Sequence, residues 1–257
     1  MKKIAFFTDT HLGQKVYLTN DGLGSEKMIY REEPDGHKEN FRTVLNDIVG
    51  KGISEVVFGG DIGSKESNKY FFDTLLEYNI KPRIILGNHD SCSEVSKYFT
   101  PDFTLDGQEM INVQEDNFYK YIYLDTSSNA ITAGQFAWFK EQLQTSKKII
   151  IFSHHPVLEI NTPIDHLGAA LNRREEIKYA LLQIENKVTI FCGHYHMEDV
   201  KSENNIIQYS TLACSYQIEK AVDNVIINDQ LFGYKIITIE NNSSQSIDSK
   251  INIRIIF

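Results

Sequence analysis

Aspartate, histidine and asparagine recur in five short clusters along the chain. These are Asp9-Thr10-His11, Gly59-Gly60-Asp61, Gly87-Asn88-His89-Asp90, Ser153-His154-His155-Pro156 and Gly193-His194-Tyr195-His196. Six of the eight histidines fall within them, and only His37 and His166 lie elsewhere. Carboxylate, imidazole and amide oxygen without a thiolate motif form a donor set suited to Mn, Fe, Zn, Co or Ni, whereas an all-oxygen set would favour Ca or Mg. The candidate donors outnumber what one ion can use, which points to two. Taken singly, each cluster has an ordinary explanation as a turn, a helix cap or a satisfied core polar group. Their joint placement argues for a shared site.

That placement depends on the elements that carry them. Each cluster follows a short apolar run, namely Ile4 to Phe7, Glu55 to Phe58, Arg83 to Leu86, Lys147 to Phe152 and Val188 to Cys192. Short runs rich in Ile, Val and Phe read as strands buried on both faces. Helical spacing separates them: Phe41, Val44, Leu45 and Ile48 line one face, as do Phe71, Phe72, Leu75 and Leu76, and Ile177, Ala180, Leu181 and Ile184. Alternating strands and helices predict an α/β fold whose strand C-termini converge on one edge, so the clusters should meet in space. Further strands are expected at Ile206 to Tyr209, Tyr234 to Ile239 and Ile251 to Phe257, with a turn at Asn241-Asn242-Ser243-Ser244. Residues 1–257 read as a single domain. The connection at 12–36, carrying Tyr17, Asp21, Gly22, Gly24, Tyr30 and Pro34, is long for a βα loop and reads either as a surface hairpin or as a lid over the site.

The ordered set D-x-H, G-D, G-N-H-D, H and G-H-x-H, running from Asp9 to His196, resembles the calcineurin-like metallophosphoesterases. The resemblance implies a sandwich of two β-sheets flanked by helices, with a dinuclear metal site at the strand C-terminal ends. Carried onto matching positions, it implies Asp9, His11, Asp61 and His196 around one ion. Around the other it implies Asp61, Asn88, His154 and His194, with Asp61 bridging. It further implies hydrolysis of a phosphoester by in-line attack of a metal-bridging hydroxide, with His89 and Asp61 as the catalytic pair and His89 serving the leaving oxygen. Beside it, Asp90 either orients His89 or caps the turn, and His155, which precedes Pro156, supports the ligands from behind rather than joining them.

Within that family, Asp61-Ile62-Gly63-Ser64 lacks the Asp-Arg-Gly of protein Ser/Thr phosphatases, and Ser64 stands where purple acid phosphatases place a Tyr ligand. The chain is most similar to bacterial class III cyclic nucleotide phosphodiesterases. That similarity is carried by Tyr123-Leu124-Asp125-Thr126, by Gly134 to Phe139, by His154-His155-Pro156 with Asp165 to Asn172, and by Ser210 to Cys214. It implies a small phosphodiester substrate such as 3′,5′-cyclic AMP. A broad phosphomonoesterase, a nuclease of the same family and a non-catalytic binding scaffold remain as alternatives. Trp138 and its neighbours read equally well as core helix, and His166, Asn172 and Arg173 either line a pocket or form a polar loop into a helix.

The net charge of -9 argues against stable nucleic-acid binding or attraction to anionic membranes, so affinity for a small anionic phosphoester must come from the site itself. Cys92, Cys192 and Cys214 are scattered and odd in number, which fits a reducing compartment. Polar Thr8 to His11 follow Ile4 to Phe7 too early for a signal-peptide core, and no apolar stretch approaches a membrane span. A cytoplasmic location is expected. Homodimerisation is left open.

Overall fold

The computed structural model describes residues 2–20, 26–32, 35–102, 104–220, 224–239 and 251–256. Two sheets dominate. In the first, Lys2–Phe7 lies parallel to Glu55–Phe58, which in turn pairs with Arg83–Ile84. On its other side Lys2–Phe7 runs antiparallel to Phe232–Ile239, which is flanked by Ile251–Ile256. The second sheet has a parallel centre of Tyr119–Tyr123, Lys148–Phe152, Val188–Cys192 and Ile206–Ser210. Asn112–Glu115 and Asp199–Glu203 form its antiparallel edges.

The two-residue side-chain period of these strands sorts the core into layers. Ile4, Phe6, Val57, Ile237 and Ile239 from the first sheet face Tyr121, Tyr123, Ile150, Phe152 and Phe191 from the second. The outward side chains Ala5, Phe7, Val56 and Phe58 pack beneath helices Gly36–Gly50 and Asn68–Glu77. On the far side Ile122, Ile149, Ile151 and Ile190 pack beneath helices Ala133–Gln142 and Arg174–Leu182. The chain is therefore a two-sheet sandwich flanked by helices. Burial on both faces is why its strands are continuous apolar runs.

Several bounds differ from expectation. The third strand closes at Ile84 rather than Leu86, although Ile85 N–H still donates to Phe58 O at 3.1 Å before the chain turns into Gly87. In the second helix Leu76 is exposed, and Ile184 lies past the end of the helix that begins at Arg174. Lys15–Asn20 and Glu26–Arg31 pair as an antiparallel hairpin inside the long 12–36 connection. Asp21, Gly22, Gly24, Pro34 and the turn at Asn241-Asn242-Ser243-Ser244 lie outside the described residues, as does Phe257. Cys92, Cys192 and Cys214 are buried and free. Among the described residues no helix is long and apolar enough to cross a membrane.

Phe152 is the centre of the contact between sheets. Its ring is fully buried, 5.5 Å from Phe6, 5.1 Å from Tyr123 and 5.6 Å from Phe191. Phe152→Ala is expected to lower the unfolding free energy by about 3–5 kcal/mol, read from denaturant midpoints. A loss under about 1 kcal/mol would show that this aromatic layer does not hold the sheets together.

Candidate metal centre

Parallel register brings the clusters to one edge. Phe7 pairs with Phe58, and Phe152 with Phe191, so the residues that follow leave the sheets side by side. Backbone bonds continue past the strand ends: Asp9 N–H donates to Gly60 O at 2.8 Å, and Gly193 N–H to His154 O at 3.0 Å. Cys214 N–H donates to Thr8 O at 2.9 Å, tying the loop after Ser210 to the opposite sheet. The chain then bends sharply. Asp9, His11, Asp61, His194 and His196 all hold positive φ, between 40° and 66°. Asp and His tolerate this left-handed region better than most side chains, yet each such residue costs about 1–3 kcal/mol. Two glycines make room. A Cβ on Gly87 would collide with the Asp61 carboxylate, and one on Gly193 with that of Asp9.

Asp9 and Asp61 are held alike, each anchored through one oxygen with the other turned inward. Asp9 Oδ2 accepts from Thr8 Oγ1 at 2.6 Å and from His194 N–H at 3.1 Å. Its Oδ1 is buried, accepts no hydrogen bond, and lies 3.2 Å from His196 Nε2, 3.9 Å from His11 Nε2 and 4.0 Å from His154 Nε2. Asp61 Oδ1 accepts from His89 N–H at 2.8 Å, while Oδ2 lies 3.3 Å from His154 Nε2 and 3.6 Å from His11 Nε2. Asn88 Oδ1 is 3.2 Å from the same His154 nitrogen.

The imidazoles are pinned from behind. A carbonyl oxygen can only accept, so the ring nitrogen facing it must carry the proton and the other keeps its lone pair. His154 Nδ1 donates to Gly59 O at 2.8 Å and His196 Nδ1 to Tyr216 O at 2.9 Å, which frees both Nε2 atoms. His194 is reversed: its Nε2 donates to Ala169 O at 2.8 Å, leaving Nδ1 free.

This donor set fits metal ions. Among the described residues, candidate ligand atoms gather in three groups, each within 4.8 Å: Asp9, His11 and His196; Asp61, His154 and His194; and His11, Asp61 and His89. Asp61 and His11 each belong to two groups. The field is that of a cation receptor. Burial opposes ionisation of Asp9, but His196 and His154 outweigh it and hold the carboxyl well below its usual range. Burial likewise opposes ionisation of Asp61, and His154, His89 and His11 reverse the effect. For His154 burial disfavours charge, yet Asp61 and Asp9 push its pKa up to about 10. His194, which has burial and the neighbouring His154 against it, falls to about 4.

The surrounding residues divide in function. Asp90 does not touch the His89 ring; its carboxylate accepts from the N–H groups of Asp61, Ile62 and Gly87 at 2.7–3.0 Å and so shapes the loop under Asp61. His155 faces Thr126 Oγ1 through Nδ1 at 2.8 Å, and its ring lies tilted against that of His194, 4.1 Å away. Tyr195 is fully buried between the left-handed His194 and His196, and its ring sits 5.2 Å from that of His194. Asp125 and Gln135 shape the loop before Thr126, Gln135 bonding the Asp125 backbone at 3.0 and 2.8 Å. Trp138 packs, half-buried, on the outer core. His166, Asn172 and Arg173 are exposed, and Arg173 pairs with Glu176 at 2.6 Å.

Sequence reasoning missed Gln14, Tyr216 and His37, and it gave Tyr30 no role. His37 Nδ1 donates to His11 O at 2.8 Å. The ring of Tyr30, on the hairpin, stacks 5.7 Å from His11 and meets His89 edge-on at 4.6 Å. No periodicity marks any of them; for Gln14 and Tyr30 the length of the 12–36 connection was the one available signal.

The sequence matches the family described as calcineurin-like phosphoesterase over residues 2–198. It is 27% identical over 224 residues to a probable glycerophosphodiester phosphodiesterase GpdQ of Arcobacter nitrofigilis, covering 82% of this chain and 78% of that one. It is 26% identical over 257 residues to a probable cyclic nucleotide phosphodiesterase of Psychrobacter arcticus, covering 91% and 88%. Among solved structures, a dimetal phosphatase from Danio rerio superposes with a TM-score of 0.64 over 92% of each chain at 10% identity. GAP50, the anchor in the inner membrane complex of Plasmodium, does so with 0.60 over 92% of this chain and 80% of that one at 13% identity. At such identities these two structures speak to the fold alone. With its two-sheet fold, its buried Asp and His cluster and a family match over most of its length, the chain belongs to the calcineurin-like phosphoesterases and is a metal-dependent phosphoester hydrolase.

Proposed function

We propose that this chain is a dinuclear phosphodiesterase acting on a small phosphodiester, with 3′,5′-cyclic AMP as the first substrate to test. The observation that carries the reading is the convergence of Asp9, His11 and His196 on one position and of Asp61, His154 and His194 on its neighbour. Asn88 completes the second set, and Asp61, whose Oδ2 faces both His11 and His154, is shared. Bound there, two divalent ions supply Lewis acidity, lowering the pKa of water and offsetting charge on the phosphoryl oxygens. The chain's own contribution is charge balance and orientation. Two carboxylates and neutral imidazoles leave a net positive centre in an acidic protein, which draws an anionic ester to this one place.

His89 stands beside the centre, its ring 5.0 Å from that of His11, and its backbone N–H orients Asp61. Asn88 turns toward His154, which leaves the imidazole of His89 to donate a proton to the departing alcohol oxygen. The hairpin carrying Tyr30 forms a wall over His11 and His89. A cavity of about 620 Å³ opens beside it, bordered by Gln14, Tyr30, Lys38, Ser64 and Tyr70, and offers room for the alcohol part of the substrate. Relatives named for glycerophosphodiesters and for cyclic nucleotides both support a diester substrate; they differ in that alcohol. Phosphomonoesterase or nuclease activity is the second reading, since the same centre serves either bond.

The direct test is a rate comparison with several divalent metals. It should span 3′,5′- and 2′,3′-cyclic nucleotides, glycerophosphodiesters, bis-p-nitrophenyl phosphate, p-nitrophenyl phosphate and single-stranded DNA. Small diesters should have the highest kcat/KM; a preference for p-nitrophenyl phosphate or DNA would transfer the chain to the second reading.

His89→Ala should retain both metals and lose about 10²–10⁴ in kcat on a diester with a ribose leaving group. The loss should be much smaller for p-nitrophenolate, which departs without a proton. Equal losses on both substrates would remove the acid role, and loss of a metal would place His89 among the ligands.

A further inference from the structure

Three of the imidazoles around Asp9 and Asp61 are oriented by backbone carbonyls, as described for His154, His194 and His196. His11 is different. Its Nδ1 lies 2.9 Å from the side-chain amide of Gln14, and the same amide atom lies 3.3 Å from His89 Nδ1. One side chain thus stands behind both the ring that reaches the two carboxylates and the ring beside Asn88.

Tautomer logic decides which end of the amide faces them. Amide oxygen and nitrogen have nearly the same shape, so their positions follow from the hydrogen-bond network. An NH₂ group aimed at the rings would require both Nδ1 atoms to accept, placing a proton on each Nε2. In His11 that N–H would donate to His196 Nε2, 3.1 Å away, so neither facing nitrogen would keep a lone pair to share with a metal. A carbonyl aimed at the rings gives the opposite result, and it repeats what the backbone does for the other three imidazoles.

We infer that Gln14 is a positioning residue whose side-chain carbonyl accepts from Nδ1–H of both His11 and His89, so that His11 presents the lone pair of Nε2 to the metals while His89, keeping Nδ1–H, turns toward the substrate the Nε2 that carries the proton for the leaving oxygen. The inference rests on the ligand role of His11 and the acid role of His89 proposed above. Gln14 is itself well placed to act as a rigid support. Its N–H donates to His11 O at 3.2 Å, and it immediately precedes Lys15–Asn20, whose hairpin partner Glu26–Arg31 lays Tyr30 against the same two rings. The hairpin therefore brings one acceptor and one aromatic wall to the same pair of histidines.

The experiment uses zinc-loaded protein with ¹⁵N-labelled histidine. Two-bond ¹H–¹⁵N spectra report which ring nitrogen carries the proton, and competition with a chromophoric chelator reports zinc affinity. Wild type should show His11 and His89 protonated on Nδ1. Gln14→Met, similar in length but without the amide, should leave His89 a mixture of tautomers and weaken zinc binding by about 10–100-fold. Gln14→Glu, which offers only acceptors, should restore the Nδ1–H tautomer of both rings. Wild-type His11 or His89 protonated on Nε2 alone would overturn the assignment, as would a Gln14→Met protein with unchanged tautomers and zinc affinity. These readouts are independent of turnover. Protein that meets them but cleaves no ester would count against the hydrolytic reading and leave Gln14 where it is placed, whereas active enzyme with unchanged spectra would do the reverse.

Discussion

Two carboxylates, Asp9 and Asp61, are buried within reach of the same imidazoles, and that juxtaposition governs the rest of the centre. Removing even one ion from water costs several kcal/mol, and two like charges together cost more unless positive charge offsets them. The protein does not relieve this by protonating the pair: the surrounding histidines hold both carboxyls below their usual range. A third carboxylate, Asp90, lies behind Asp61, and there the outcome is opposite. Burial and the charge of Asp61 raise its pKa to about 7, even though three N–H groups favour its anion. Negative charge is concentrated on the two groups that face the centre and discouraged on the one that supports it.

Holding those groups together demands an unusual backbone. Five of the residues at the site have left-handed φ, and two glycines allow approaches that any Cβ would block. Such strain persists only where the surroundings over-determine it. Here they do so through parallel strands in strict register, inter-loop bonds just beyond the strand ends and an aromatic layer between the sheets. The sandwich supplies stiffness; the loops supply the chemistry.

How much of this could be read in advance varies with the kind of constraint. Strands buried on both faces leave apolar runs, and helices such as Gly36–Gly50 leave a spaced stripe in Phe41, Val44, Leu45 and Ile48, so the layers were visible as patterns. Donor residues directly after strands were visible for the same reason. Orientation was not. Nothing in the spelling Gly193-His194-Tyr195-His196 tells that two of its residues are left-handed, that Ala169 holds Nε2 of His194, or that Tyr195 packs beside His194 rather than away from it. Gln14 and Tyr30 reach the site through a hairpin whose pairing depends on tertiary packing, and the sequence marked that segment by its length alone. The segments resembling cyclic nucleotide phosphodiesterases, Asp125 and Gln135 among them, prove to shape a loop that ends at Thr126 and His155 rather than to line the cavity beside Tyr30.

The central claim is that two metal positions share Asp61, and metal content per chain tests it most directly. After reconstitution and removal of loosely held ions, elemental analysis should find two transition-metal ions per wild-type chain and at most one tightly held in Asp61→Ala. Two tightly held ions in the Asp61→Ala protein, or wild-type protein that keeps its full hydrolytic rate after exhaustive removal of metal, would contradict the account.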